Sequence, residues 1–137
     1  MKKEELRIGN HVRLVPKFDH YAPNEDGIVV IKEIDSDSVV IGDDNRRFRF
    51  ASIMEINITP KILTDVGFNN GNTIDTWYHP QLGCMYVRLP HRDSKHFLIK
   101  AIGDTPITSF KYLHHLENFF YAVTGNEFVF NNQKTTT

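Results

Sequence analysis

The sequence has few of the features that mark secreted or membrane proteins. It contains a single cysteine, Cys84, which excludes an internal disulfide and argues against a disulfide-stapled secreted scaffold. No apolar run approaches the roughly 20 residues that cross a bilayer. No hydrophobic signal segment follows the opening residues Met1 to Glu5. We therefore expect a cytoplasmic protein that is not embedded in a membrane.

An excess of charge of one sign is missing as well. The chain carries 16 basic and 17 acidic side chains, for a formal net charge of -1, and both of its halves are near neutral. It therefore lacks the broad positive field that non-specific nucleic-acid binding uses. The sequence also lacks a Gly-x-Ser-x-Gly nucleophile elbow, a glycine-rich phosphate loop and a Cys-x-x-Cys pair. No catalytic residue, metal or cofactor is predicted.

The sequence is rich in aromatic residues for its length. Its 10 Phe, 5 Tyr and 1 Trp suffice to build a core without a disulfide or a structural metal. We expect most of the chain to fold, followed by a disordered tail over residues 131–137, which are polar throughout.

Residues 1–58 are predicted to form an SH3-like small β-barrel. Residues that favour strands cluster at 11–15, 27–34, 38–41 and 46–50, and short turn segments separate the last three clusters. The longer stretch 16–26 is predicted to be an exposed loop. A first strand, a long loop and then a three-stranded meander is a strand sequence typical of small closed barrels.

Residues 59–130 are predicted to form an α+β unit. It begins with a short helix over 60–66, capped by Thr59 and ended by Gly67. Strands are expected at 73–78, 84–89, 96–102 and 126–130, with turns or loops at 69–72 and 103–106. A main amphipathic helix over 109–124, with an apolar stripe formed by Leu113, Leu116, Phe120 and Val123, is predicted to cover the antiparallel sheet.

Two pairs of residues are the candidate binding sites. His114 and Asn118 lie one turn apart on the main helix, so their side chains are predicted to form one polar patch that holds a ligand or partner. A structural role, in which the imidazole bonds to a loop carbonyl, stays open. Arg47 and Arg49 share one face of a strand, while Phe48 and Phe50 share the other. Nucleic-acid binding through this strand requires exposed phenylalanines, whereas period-2 alternation predicts buried ones.

A metal-dependent enzyme is an alternative prediction from the histidines. His114 and His115 are adjacent on a helix and point about 100° apart, which argues against both of them binding one ion. A small metal-assisted hydrolase or nuclease would use His91, Asp93, His96 and His114. Cys84 is expected to be a buried thiol in a strand, without a neighbouring base.

Several segments together resemble a known group of proteins. These segments are Leu6–Asn10, Ile58–Phe68, Lys111–Asn118 and Ala122–Glu127. In that order they resemble small uncharacterised proteins of phages, prophages and mobile elements of Bacteroidetes-type bacteria. The resemblance implies a phage or mobile-element setting and brings no reaction with it.

The function predicted from the sequence is that of a non-enzymatic binding or accessory module. It would act on a host or phage macromolecule, with a protein as its partner, through Arg47, Arg49, His114 and Asn118. The metal-assisted hydrolase and the nucleic-acid-binding protein are the two alternatives, and the oligomeric state is not indicated.

Overall fold

The computed structural model describes residues 5–21, 27–41, 45–71, 76–88, 97–101 and 105–130. The chain divides into two compact units. The first contains Met1–Ile56 together with Tyr112–Asn118, and the second contains Asn57–Lys111 together with Phe119–Thr137. The architecture is α+β. The predicted tail at 131–137 lies outside the described residues.

The first unit is built on one antiparallel sheet. Its strands are β1 (His11–Leu14), β2 (Ile28–Ile34), β3 (Ser38–Ile41), β4 (Arg46–Arg49) and β5 (Ile53–Met54). Their order in the sheet is β4-β3-β2-β1-β5, with every neighbouring pair antiparallel. The first four strands lie where the sequence predicts them. The loop predicted at 16–26 contains a 3-10 helix at Pro16–Tyr21, and a second 3-10 turn, Phe50–Ser52, connects β4 to β5.

The core of this unit follows from alternation along the strands. Every second residue points to the same face, so Val12 and Leu14 on β1 are buried with Val29 and Ile31 on β2. The same cluster contains Val39, Ile41 and Phe48 from the next two strands. The Phe18 ring packs 5.4 Å from the Phe48 ring, centroid to centroid. Phe48 is thus buried as predicted, while Phe50 is only partly buried.

The second unit contains a short helix and a second antiparallel sheet. The helix α1 (Pro60–Asp65) begins as predicted, because the Thr59 hydroxyl accepts a hydrogen bond from the Ile62 N–H at 3.2 Å. The strands are β6 (Asn69–Asn70), β7 (Thr76–Tyr78), β8 (Tyr86–Arg88), β9 (Phe97–Ala101) and β10 (Thr105–Phe110). Their order in the sheet is β10-β9-β8-β7-β6.

Three secondary-structure predictions for this unit are wrong. The segment predicted as a turn at 69–72 begins with β6, because Asn69 and Asn70 pair with Tyr78 and Trp77. The loop predicted at 103–106 ends in β10, which pairs with β9. The strand predicted at 126–130 does not form. Side chains in this segment still alternate between buried and exposed, although its backbone is not paired with a strand. Phe128 and Phe130 are buried, while Val129 is 72% exposed.

The main helix begins four residues later than predicted. The helix α2 spans Leu113–Thr124, whereas Ser109 and Phe110 belong to β10 and pair with Leu98 and Phe97. The competing strand pairing therefore determines where the helix starts. Leu113, Leu116 and Phe120 of the predicted stripe are buried, and Val123 is exposed. Residues up to Asn118 belong to the first unit, and those from Phe119 belong to the second.

Two further observations concern the predicted environment of the chain. Cys84 is exposed and precedes β8 in a turn, so the prediction of a buried strand thiol is wrong. Among the described residues, no helix has the length and apolar character needed to span a bilayer.

Candidate functional site

Asn118 is a structural hub of the first unit. Its Oδ1 accepts hydrogen bonds from Asn10 Nδ2 at 2.8 Å and from Arg7 Nε at 3.2 Å. Its Nδ2 donates to the backbone carbonyl of Glu5 at 3.0 Å. These bonds fasten the segment before β1 to the second turn of α2. The carboxamide is thus occupied within the unit, which favours the structural role over partner binding for this residue.

His11 and Glu117 form a buried pair next to this hub. Glu117 Oε1 accepts a hydrogen bond from the His11 backbone N–H at 2.8 Å, and Glu117 Oε2 lies 2.5 Å from His11 Nδ1. Both side chains are almost completely buried. Buried ionisable groups persist where they are paired, so this contact fixes the start of β1 against α2.

His114 occupies a different environment from Asn118. The side chain is 1% exposed, and neither ring nitrogen has a hydrogen-bond partner among the described residues. The pKa of His114 is lowered to about 4, mainly by burial and also by the neighbouring His115, while the Glu5 and Glu55 carboxylates oppose the shift. The ring is therefore neutral near pH 7. The His114 ring is buried, whereas Asn118 is only partly buried and hydrogen-bonds to Glu5, Arg7 and Asn10.

The adjacent histidines nevertheless converge, together with a residue that the sequence analysis missed. The ring centroids of His114 and His115 lie 4.2 Å apart, and Glu5 Oε1 lies 2.8 Å from His115 Nε2. One ligand atom from each of Glu5, His114 and His115 lies within 4.8 Å of the other two. The 100° angle applies to the Cα–Cβ directions, whereas rotation about χ1 and χ2 brings the rings together. Glu5 is distant in sequence, and no spacing signal indicates it.

The arginines of β4 lie on an edge strand. Arg46, Arg47 and Arg49 are exposed, and β4 is one of the two outermost strands of its sheet in the described part of the chain, β5 being the other. Arg47 forms an ion pair with Asp35, and its Nη1 donates to Ser38 Oγ at 3.1 Å. Arg47 is thus tied to β3 and the preceding turn, while Arg49 stands opposite Ser38 at the end of the strand.

The structure bears on the two alternative functions, nucleic-acid binding through β4 and metal-assisted hydrolysis, to different extents. Stacking of bases on this strand would need outward phenylalanines, and Phe48 is buried in the core. The hydrolase residues His91, Asp93 and His96 lie outside the described residues, which leaves His114 as the one member of that set with a described environment.

A histidine of the second unit is built into an aromatic cluster. The His79 ring centroid lies 4.7 Å from that of Phe120 and 5.1 Å from that of Phe68. His79 Nδ1 accepts a hydrogen bond from the Gln81 N–H at 3.1 Å and so caps the 3-10 turn that follows it. Desolvation lowers the pKa of His79, against a hydrogen bond with the Val66 backbone that raises it. These contacts give His79 a structural role.

Comparisons with known proteins identify no family for this chain. No family profile, no curated protein sequence and no solved structure matches it.

Proposed function

We propose that this protein is a non-enzymatic binding module whose first unit is an SH3-like barrel. The observation that supports the barrel is the strand order. A first strand is followed by a long connection and a three-stranded meander, and the last strand returns beside the first, after a 3-10 turn. In this arrangement most of the sheet's apolar side chains are enclosed, and β4, one of its two outer strands, offers an edge for recognition.

We propose that β4 is the binding surface and that its partner is an acidic, extended segment of another protein. An outermost strand can pair its backbone with an added strand, and side-chain charge then selects the partner. Arg46 and Arg49 supply that charge, and they are both exposed. Arg47 is also exposed, and it forms an ion pair with Asp35. The burial of Phe48 disfavours nucleic acid as the ligand, since phosphate contacts would act without base stacking.

The proposal is tested by fluorescence anisotropy with labelled peptides. The probe alternates glutamate with valine, and the matched control peptide alternates lysine with valine. We expect the acidic peptide to bind and the basic peptide not to bind. Added salt should weaken binding of the acidic peptide, because the contacts are between exposed charges.

Charge variants of the protein locate the surface. R46Q combined with R49Q removes two exposed arginines of β4 and should weaken binding of the acidic peptide about tenfold. K32Q combined with K61Q removes two exposed lysines elsewhere and should leave binding unchanged. Equal weakening by both pairs, or tighter binding of a single-stranded oligonucleotide than of the acidic peptide, would refute the proposed partner.

The biological setting of this module rests on the resemblance described above. Action on a host or phage macromolecule remains a proposal. The partner of β4 would then be an acidic segment of a host or phage protein.

A further inference from the structure

We propose that Glu5, His114 and His115 bind a divalent transition-metal ion, and that Zn²⁺ fits the ligand set best. Two imidazoles and one carboxylate are a known protein ligand set for zinc, with water as a fourth ligand. This site is independent of the proposed peptide-binding surface on β4.

The strongest observation is the state of the His114 ring. A buried polar group without a hydrogen-bond partner is costly, and such groups in folded proteins call for a specific explanation. Both ring nitrogens of His114 are in this condition, although the side chain is 1% exposed. A neutral imidazole binds a metal ion through the lone pair of one ring nitrogen. A metal ion would satisfy that nitrogen.

The other two ligands reach the same place from the solvent side. The His115 and Glu5 side chains are 29% and 38% exposed, and Nε2 and Oε1 already lie 2.8 Å apart. In a tetrahedral zinc site, neighbouring ligand atoms lie about 3.4 Å apart. The three ligand atoms, now within 4.8 Å of one another, reach this spacing by small rotations of the two partly exposed side chains. The exposed side also leaves room for a water ligand.

Charged groups of both signs act on this position. His114 and His115 belong to the first turn of α2, where the positive end of the helix dipole opposes a bound cation weakly. The Glu5 and Glu55 carboxylates act in the opposite sense, since both favour positive charge at His114. Desolvation and the neighbouring His115 act against positive charge at His114, and the two carboxylates offset part of that effect.

Asn118 gives the site a positioning residue. It lies one turn after His114 on α2, and its Nδ2 holds the backbone carbonyl of Glu5 at 3.0 Å. The carboxylate of Glu5 is thereby kept beside the histidines. Asn118 therefore positions a metal ligand, Glu5, which is a role that the sequence pattern did not indicate.

The test measures binding of Zn²⁺ to protein purified without a histidine tag. Competition with a chromophoric chelator should show one tightly bound ion per chain. H114L should weaken binding by at least about 100-fold, and E5Q and H115Q should each weaken it by at least about tenfold. H79Q removes a histidine of the second unit and should leave the affinity unchanged. Co²⁺ should give the visible spectrum of a tetrahedral site in the wild-type protein and lose it in H114L.

Metal-free samples separate loss of a ligand from loss of the fold. H114L replaces an unpaired polar ring with an apolar side chain, so the metal-free variant should melt at or above the temperature of the metal-free wild type. Added Zn²⁺ should raise the melting temperature of the wild type and not that of H114L. Zinc binding of undiminished strength in H114L, or equal losses in H114L and H79Q, would overturn the proposal. A wild-type protein that binds no zinc would overturn it as well.

Discussion

At the scale of single residues, the first unit depends on polar side chains that the sequence pattern indicates poorly. Asn10, His11, His114 and Glu117 are almost completely buried, although their residue types favour the surface. The helical spacing of His114 and Asn118 indicated a polar patch. In the structure the His114 ring is buried, and the Asn118 carboxamide hydrogen-bonds to the segment before β1. The sequence pattern did not identify Glu5 or Glu117, because the partners of these residues are more than 100 positions away in sequence. Contacts of that range are set by tertiary packing, which leaves no local signature.

The buried pair of His11 and Glu117 predicts a sharp contrast between two substitutions. E117A leaves the His11 backbone N–H and ring buried without their partner and should lower the free energy of unfolding by about 3 kcal/mol. E117Q keeps a hydrogen-bonding group for both atoms and should cost about half as much or less. The measurement is urea unfolding at neutral pH.

The exposed pair of Lys61 and Asp65 provides the control for that comparison. Lys61 Nζ lies 2.9 Å from Asp65 Oδ2 across one turn of α1, and the lysine side chain is 66% exposed. K61A should therefore change stability by no more than about 0.5 kcal/mol. Similar costs for E117A and K61A would show that the buried pair does not stabilise the unit.

His79 predicts a pH dependence of stability. Its pKa in the folded protein lies below the ordinary value of 6.5, mainly because of desolvation, so the unfolded chain takes up the proton first. The His79 contribution to stability is complete above pH 6.5 and declines as the pH falls toward the folded pKa. Between about pH 7.5 and about pH 5, H79F should lose less stability than the wild type. An identical loss in the two proteins would contradict this role.

At the scale of elements, the local signals in the sequence predict well wherever the chain determines its own conformation. Thr59, Pro60 and Gly67 specify α1 almost to the residue, and clusters of strand-forming residues specify β2, β3 and β4. The start of α2 and the strand β10 were missed for one shared reason. Residues 105–110 pair with β9, and this partner in the sheet overrides the helical interpretation of the segment.

The cap of α1 gives a prediction with an internal control. T59A removes the acceptor of the Ile62 N–H and should destabilise the protein by about 1 kcal/mol. T64A removes a hydroxyl that only donates back to the Pro60 carbonyl, and it should be nearly neutral. Thermal unfolding of the two variants decides the matter, and a larger effect of T64A would count against the assigned cap.

The glycines that end the two helices should differ in their tolerance of a side chain. Gly67 and Gly125 both have positive φ, at 100° and 76°. A Cβ at Gly125 meets nothing within 4 Å, whereas a Cβ at Gly67 would lie 3.1 Å from His79 Nε2. G125A should cost about 1 kcal/mol from backbone strain alone, and G67A should cost more. Equal costs in urea unfolding would show that His79 moves aside freely.

At the scale of the whole molecule, the α+β class follows from the sequence, and the sheet orders do not. The meander of β2, β3 and β4 could be predicted from its short turns, because neighbours in sequence pair first. The return of β5 to lie beside β1 depends on pairing across about 40 residues, which no turn signal encodes. The division of α2 between the two units is likewise a tertiary feature, since its apolar stripe runs unbroken in the sequence.

The most direct test of the proposed function is a map of amide chemical shifts. ¹⁵N-labelled protein is titrated with the peptide that alternates glutamate and valine, and the shifted amides are assigned. We expect the largest changes at Arg46–Arg49, and we expect the titration to require about ten times more peptide when Arg46 and Arg49 are both replaced by Gln. Shifts concentrated away from β4, or no shifts at saturating peptide, would contradict the assignment of this strand as the binding surface.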